Sequence, residues 1–281
     1  MTARASGPAA PVIPAAGFPG KKPGFAYRRS GIWAIRVVVF VALIAAWEWY
    51  AQGVSRALFA PPSEVAQAFY DLAIAEPRIW GALGESLLAL AVGLALCIVV
   101  GVPVGLAMGR SKTLEFVLDP YVTFLYVLPN VAFIPLLVVW VGYAFELRIA
   151  LVFLSGVFPM IINTIAGVKH VDPELIDGGR SFNASEAQII RTIIFPGSLP
   201  FVFAGLRIAF SSAWVGVIVA EMTALLAGIG GMIAKAADRF RTAEVFVPIL
   251  FIMAVGVSVQ WFTSWLQRRM TPWEEPVEGV R

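Results

Sequence analysis

Leu87-Leu-Ala-Leu-Ala-Val-Gly-Leu-Ala-Leu-Cys-Ile-Val-Val-Gly-Val-Pro-Val-Gly-Leu-Ala-Met108 runs for twenty-two residues without a charged side chain. About 20 such residues cross about 30 Å of hydrocarbon, so this stretch reads as a membrane span within an apolar block at 82–108. Five further blocks of the same kind lie at 31–51, 117–142, 147–168, 199–227 and 245–266. All six must be helices, because an open sheet edge leaves its backbone unsatisfied in lipid. Over the 281 residues, 59% are hydrophobic and only 14% charged, against about 25% charged in a soluble domain. Mean hydropathy is +0.82. The fold class is therefore all-α and polytopic, with six transmembrane helices across 31–270.

Composition also excludes other classes. The lone Cys97 and single His170 supply neither a disulfide framework nor the three or four ligands of a zinc site, so no metal is expected. The net charge of +3 gathers at the ends of apolar blocks and forms no stripe for nucleic acid. With the N-terminus inside, thirteen of the 21 Lys and Arg fall in inner segments and six, including Arg148, in outer ones. Both termini are then cytoplasmic. Residues 1–30 read as a disordered cytoplasmic tail without a signal-peptide cleavage site, and 271–281 as a second tail.

No nucleotide-binding loop is present: Gly20-Lys21 is the nearest approach, with Lys22 where Ser or Thr belongs. A nucleophile elbow and a His-Glu-x-x-His pair are also missing, so the chain reads as a transport subunit and not an enzyme. Its blocks are interrupted by Pro103, Pro129, Pro135 and Pro159, with Gly101, Gly105 and Gly109 around the first. Such residues serve either close helix packing or the walls of a pathway that must bend. Arg207 and Glu221 lie within the fifth block, fourteen residues apart and on nearly one helix face. Unpaired charge there costs at least about 2.5 kcal/mol, so each either pairs with a neighbouring element or lines a pathway.

Outside the blocks, Phe59-Ala-Pro-Pro-Ser63 opens an amphipathic outer helix, with Ser63 as its expected cap. A second outer element follows Gly228-Ile-Gly-Gly231. The most informative loop is Lys169–Pro196. Asp172-Pro173-Glu174 opens a helix with a cap, a proline in the first turn and an acid suited to the dipole. Asn183 interrupts it by accepting a left-handed backbone. Ala184–Arg191 resumes a helix, and Phe195-Pro196 is expected to end it. Two short helices in the longest inner loop make a rigid device for docking a partner.

At this loop the sequence resembles the permease subunits of bacterial ATP-binding-cassette importers. Their cytoplasmic motif is Glu-Ala-Ala, three residues, Gly, nine residues, Ile, one residue, Leu-Pro. Asp177-Gly178-Gly179 stands for Glu-Ala-Ala, Asn183 for the Gly, and Phe195-Pro196 for Leu-Pro, while Ile193 matches outright. The two glycines cost about 1 kcal/mol each in helix propensity. Leu58-Phe-Ala-Pro-Pro-Ser-Glu-Val65, Gly105-Leu-Ala-Met-Gly-Arg-Ser111 and Leu128-Pro-Asn-Val-Ala-Phe-Ile-Pro-Leu136 are similar to the branch that imports nitrate, taurine and aliphatic sulfonates. Ala213-Trp-Val-Gly-Val-Ile-Val-Ala-Glu-Met222 and Thr242-Ala-Glu-Val-Phe246 carry the same likeness, which covers about 31–270.

The resemblance implies the type I importer permease fold in a bacterial inner membrane, multi-pass. It implies a second permease subunit (a homodimer, with a heterodimer left open by the softened motif), two cytoplasmic ATPases and an extracytoplasmic substrate-binding protein. ATP and Mg would be held by the ATPases, and no cofactor by this chain. The loop at 169–196 would couple the ATPase to the spans. Asp177, Arg180 and Arg191 are its charges, and Phe182, Ala184 and Ile189 its apolar docking contacts. The cargo would be a small anion, although the same branch also imports thiamine-pyrimidine precursors, riboflavin and aromatic acids. A secondary transporter fits the broken spans too, but predicts inverted repeats that this sequence lacks.

Overall fold

A computed structural model describes residues 29–143 and 145–272. The tails called at 1–30 and 271–281 lie almost wholly outside the described residues, which are helix, turn and coil throughout. The chain divides at Trp49–Tyr50 into two compact units. Helix α1 (Arg29–Gln52) supplies the first. It is apolar around most of its circumference, as lipid requires.

The second unit begins with α2 (Pro62–Tyr70), which a wide π turn at Asp71–Ala75 extends. Then come α3 (Arg78–Arg110), α4 (Lys112–Val127), a 3₁₀ turn at Asn130–Phe133 and α5 (Ile134–Val141). Helix α6 (Phe145–His170) is followed by the short α7 (Pro173–Ser181) and α8 (Glu186–Ile189). Helices α9 (Phe195–Ala220), α10 (Gly228–Asp238) and α11 (Thr242–Met270) complete the unit. Five helices are long and apolar enough to cross a membrane, and α4 with residues 130–141 makes a sixth if that bent pair counts as one span.

The third block is interrupted at Pro129 as expected, its two halves meeting at 86°, and other local expectations are corrected. Pro129 forces Leu128 into an extended conformation (ψ 135°), whereas Pro135 sits harmlessly in the first turn of α5. Pro159 breaks nothing, because α6 runs through it packed between α3 and α9. Phe195-Pro196 does not end a helix either. Phe195 N–H reaches back five residues to the Ile190 carbonyl, and this widened turn accommodates the proline ring, so helix continues over 186–225. Finally, Pro61 and not Ser63 stands at the start of α2, and Gly228–Gly231 is the first turn of α10.

The core is the contact of α3 with α6 and of α6 with α9. One cluster gathers Leu90, Val152, Phe210, Trp214, Val217 and Ile229, and a second gathers Cys97, Met108, Val157, Ile161 and Ile165. A ladder of glycines brings α3 against α6. A Cβ at Gly93, Gly101, Gly105 or Gly109 would lie 2.4 to 2.8 Å from Val152, Met160, Thr164 or Val168. Between the two readings of the α3 glycines, the structure therefore favours close packing: they face another helix of the same chain.

Gly105→Ala should lower the thermal unfolding temperature of the detergent-purified chain, at an overpacking cost of about 1–3 kcal/mol. The new Cβ would stand 2.5 Å from Thr164 Cβ and 2.9 Å from the Ile161 carbonyl. Gly256→Ala, with nothing within 4 Å, should leave that temperature unchanged or raise it.

Candidate functional site

The loop between α6 and α9 owes its form to its caps. Asp172 Oδ1 accepts the Glu174 N–H at 2.9 Å and opens α7. At the other end Asn183 adopts φ 57°. Its N–H donates to Arg180 O at 2.8 Å and that of Ala184 to Gly179 O at 3.1 Å, a Schellman closure with Asn at the left-handed position. Two residues on, Ser185 and Gln188 cap α8 reciprocally: Ser185 N–H donates to Gln188 Oε1 at 2.8 Å, and Gln188 N–H to Ser185 Oγ at 3.3 Å.

Glu186 then ties the loop together. Its carboxylate accepts Arg110 Nη2 at 2.8 Å from the end of α3 and Arg180 Nη2 at 3.1 Å from α7. Arg180 also lies 3.4 Å from Asp177. These exposed pairs are worth little individually, but as a network they fix two short helices on the end of α3. Arg180 is thus engaged within its own chain. Ile189, expected to dock a partner, is fully buried against Val168 and Ile194, because α8 must cover an apolar face to hold its place. Ile193 is half-buried against Gly179, where a Cβ would meet its Cδ1 at 2.9 Å. Nothing in the structure explains Gly178. Phe182 projects 90% exposed from the tip, and Asp177 and Arg191 are also exposed.

A second constellation lies at the other end of α3. Glu85 and Arg110 are separated by about 37 Å of helix. Glu221, in a π turn at Glu221–Leu225 that ends α9, is fully buried. It accepts Ser86 Oγ at 2.7 Å and Gly230 N–H at 3.0 Å, while Ser86 Oγ accepts Ile229 N–H at 3.1 Å. Arg148 Nε stands 3.2 Å away without an aligned hydrogen bond, and both its Nη atoms donate to Glu85 Oε2 at 3.4 Å. Leu226 (φ 45°) and Gly228 (φ 63°) turn the chain back over the carboxylate. Gly228 admits no side chain, since a Cβ would lie 2.0 Å from Glu221 Oε1.

Of the two readings open for Glu221, the structure favours pairing, since it is enclosed by its own chain beside Arg148. Arg148, assigned to an outer segment, is 5% exposed because it neutralises that carboxylate. Arg207 is half-buried and donates to Gln267 Oε1 of α11 at 2.9 Å, so it has a partner on a neighbouring helix. The loop residues and this pair are not brought together. Sequence reading missed Glu186, Arg110, Ser86 and Arg148. Ser185-Glu-Ala-Gln188 was a legible capping signal, whereas the Ser86–Glu221 bond joins residues 135 apart.

Residues 98–272 match the family described as binding-protein-dependent transport system inner membrane component, more than half of the chain. The protein belongs to that family: it is a multi-pass permease of the ATP-binding-cassette importer class. Among its relatives is the taurine transport system permease protein TauC of Escherichia coli (strain K12), 32% identical over 87% of this chain and 91% of that one. The nitrate import permease protein NrtB of Synechocystis is 27% identical over 86% and 90%. The bicarbonate transport system permease protein CmpB of Synechococcus elongatus is 30% identical over 65% and 66%. Among solved structures, an inward-facing conformation of the MetNI methionine transporter aligns with a TM-score of 0.63 at 17% identity. It covers 70% of this chain and 99% of that one, which supports the type I permease fold.

Glu221→Ala should cost about 3–5 kcal/mol, since it strands a buried guanidinium. Ser86→Ala, which leaves the ion pair in place, should cost about 1–3 kcal/mol. Thermal unfolding of the purified variants should give that order, with Gly228→Ala as damaging as Glu221→Ala. A Glu221→Ala protein that melts with the wild type would show that the cluster does not hold α10.

Proposed function

We propose that this chain forms half of the translocation pathway of an ATP-driven importer for a small anion such as nitrate, taurine, an alkanesulfonate or bicarbonate. The names of its relatives support that solute class. In this reading the loop at 169–196 faces the cytoplasm and seats on an ATPase subunit. A second copy of the chain completes the pathway, and a binding protein delivers the solute at the opposite face.

The observation that carries the coupling role is the continuity of helix over 186–225. At 1.5 Å per residue it is about 60 Å long, twice the hydrocarbon thickness, so its first turns stand outside the bilayer. A push on α8 is therefore passed to the span through continuous helix, by way of the π turn at Ile190–Ile194. The contact itself falls to Phe182, an aromatic held out by a capped turn and backed by the Glu186 network. Anchors of this kind dominate interfaces, while the exposed charges around them steer association.

The test is uptake into vesicles holding this permease, its ATPase and its binding protein, with nitrate, taurine, methanesulfonate and bicarbonate offered in turn. At least one should accumulate only with ATP. Phe182→Ala should weaken ATPase association by about 2 kcal/mol, roughly thirtyfold, and abolish uptake in proportion. Uptake that proceeds without ATP or partners would overturn the importer reading. Full coupling in Phe182→Ala would overturn the docking role.

A further inference from the structure

At the end of α3 remote from the loop helices, a cavity of about 500 Å³ opens between α3, α10 and the π turn after α2. Its walls carry Lys235 from α10, Arg239 from the turn that follows it, Arg78 and Glu85 from α3, and Glu244 from α11. The charges are unequally matched. Arg78 pairs with Glu76, and Glu244 is held by Arg241 at 3.1 Å. Among the described residues no carboxylate lies within 4.0 Å of Lys235 or Arg239, which both line the cavity. Asp238, between them in sequence, does not line the cavity.

Glu85 is the acidic group of the cavity that reaches inward. Its side chain is 60% exposed, and it accepts both Arg148 Nη atoms on one oxygen at 3.4 Å. A tight charge-assisted pair closes to about 2.7–2.9 Å, with two oxygens facing the two nitrogens. Arg148 is 95% buried, and its Nε has no aligned acceptor. Its guanidinium is thus anchored by Glu221 on one side and loosely satisfied on the other.

We propose that this cavity is an anion-binding vestibule, in which an incoming solute meets Lys235 and Arg239 and then displaces Glu85 from Arg148. The ligand class is a small oxyanion or sulfonate, whose two oxygens fit a guanidinium fork that one long-bonded carboxylate oxygen fills poorly. Glu85 stands in for the solute when the site is empty, and Glu221 keeps Arg148 in place during the exchange. The inference rests on the reading of the chain as an anion permease and deepens it by naming a site.

The experiment is equilibrium binding of radiolabelled methanesulfonate to the full-length chain in phosphatidylcholine nanodiscs, without ATPase or binding protein. Wild type should bind saturably, with nitrate competing and choline not. Lys235→Gln/Arg239→Gln should weaken binding by about tenfold. Glu85→Gln should tighten it severalfold, because the resident competitor loses its charge; a merely structural role for Glu85 would weaken it. Arg56→Gln, outside the cavity and paired with Glu64, should change nothing.

Absence of saturable binding by wild type would overturn the proposal, as would equal affinity in the double variant or weaker binding by Glu85→Gln. Loss of binding-protein association in the double variant, with no methanesulfonate bound by wild type, would assign the cavity to a partner's carboxylates and overturn it too. Failure here is separable from failure of the transport reading. ATP-dependent uptake that persists unchanged in both variants sinks the vestibule alone. Saturable binding without any ATP-dependent uptake sinks the importer and leaves the vestibule standing.

Discussion

Much of the second unit depends on one buried carboxylate. Glu221 cannot sit inside a helical bundle without a counter-charge and donors for its remaining lone pairs. Arg148, Ser86 and the backbone of α10 meet that demand, and in doing so they fix three neighbours at once. The carboxylate draws α3 and α6 to the end of α9 and folds α10 back over it. The glycines at 228 and 230 follow from the same demand. A side chain at either would strike Glu221 or, at 230, the Ile218 carbonyl.

Close packing elsewhere has a different origin. Along α3 and α6 beyond the Glu85–Arg148 pair, no ion pair among the described residues specifies the register, and lipid offers no hydrophobic drive between two apolar helices. Shape takes over. Glycines spaced along one face of α3 accept Val152, Met160, Thr164 and Val168, and α6 is sealed on its far side where its Gly167 accepts Ser198 and Phe201 of α9 and Gly205 of α9 accepts Met160 and Asn163. Proline at 159 is tolerated inside α6 for this reason: packing on two sides outweighs a local cost of about 3 kcal/mol.

The sequence made the helical class, the six apolar blocks and the two-helix loop legible, because each rests on local pattern. Asp172-Pro173 and Asn183 could be placed on a cap and a left-handed turn for the same reason. Partners across the fold were not legible. That Glu221 needs a cation follows from its depth, but nothing near it in the chain singles out Arg148. Ile189 looked like a docking residue because an apolar position on a loop helix can face a partner or its own bundle. Only the packing of Val168 and Ile194 decides between them. The π turn before Pro196 was hidden by the strength of proline as a stop signal.

The two constellations are joined by one element. Helix over 186–225 begins at Glu186, held by Arg110 and Arg180, and ends in the π turn that carries Glu221. Both ends are clamped to α3, near Arg110 and at Ser86. A load applied to α8 is therefore shared between two antiparallel helices bound at both ends and packed on α6 between. Such a frame resists shear between its members and rotates as a body. The places where it can yield are the π turns at Ile190–Ile194 and Glu221–Leu225, where the i→i−4 ladder is already interrupted. Bending at the second would tilt α10 and shift Lys235 and Arg239 against Glu85. In a transport cycle driven from the loop, that is where motion of the frame would alter the proposed anion site.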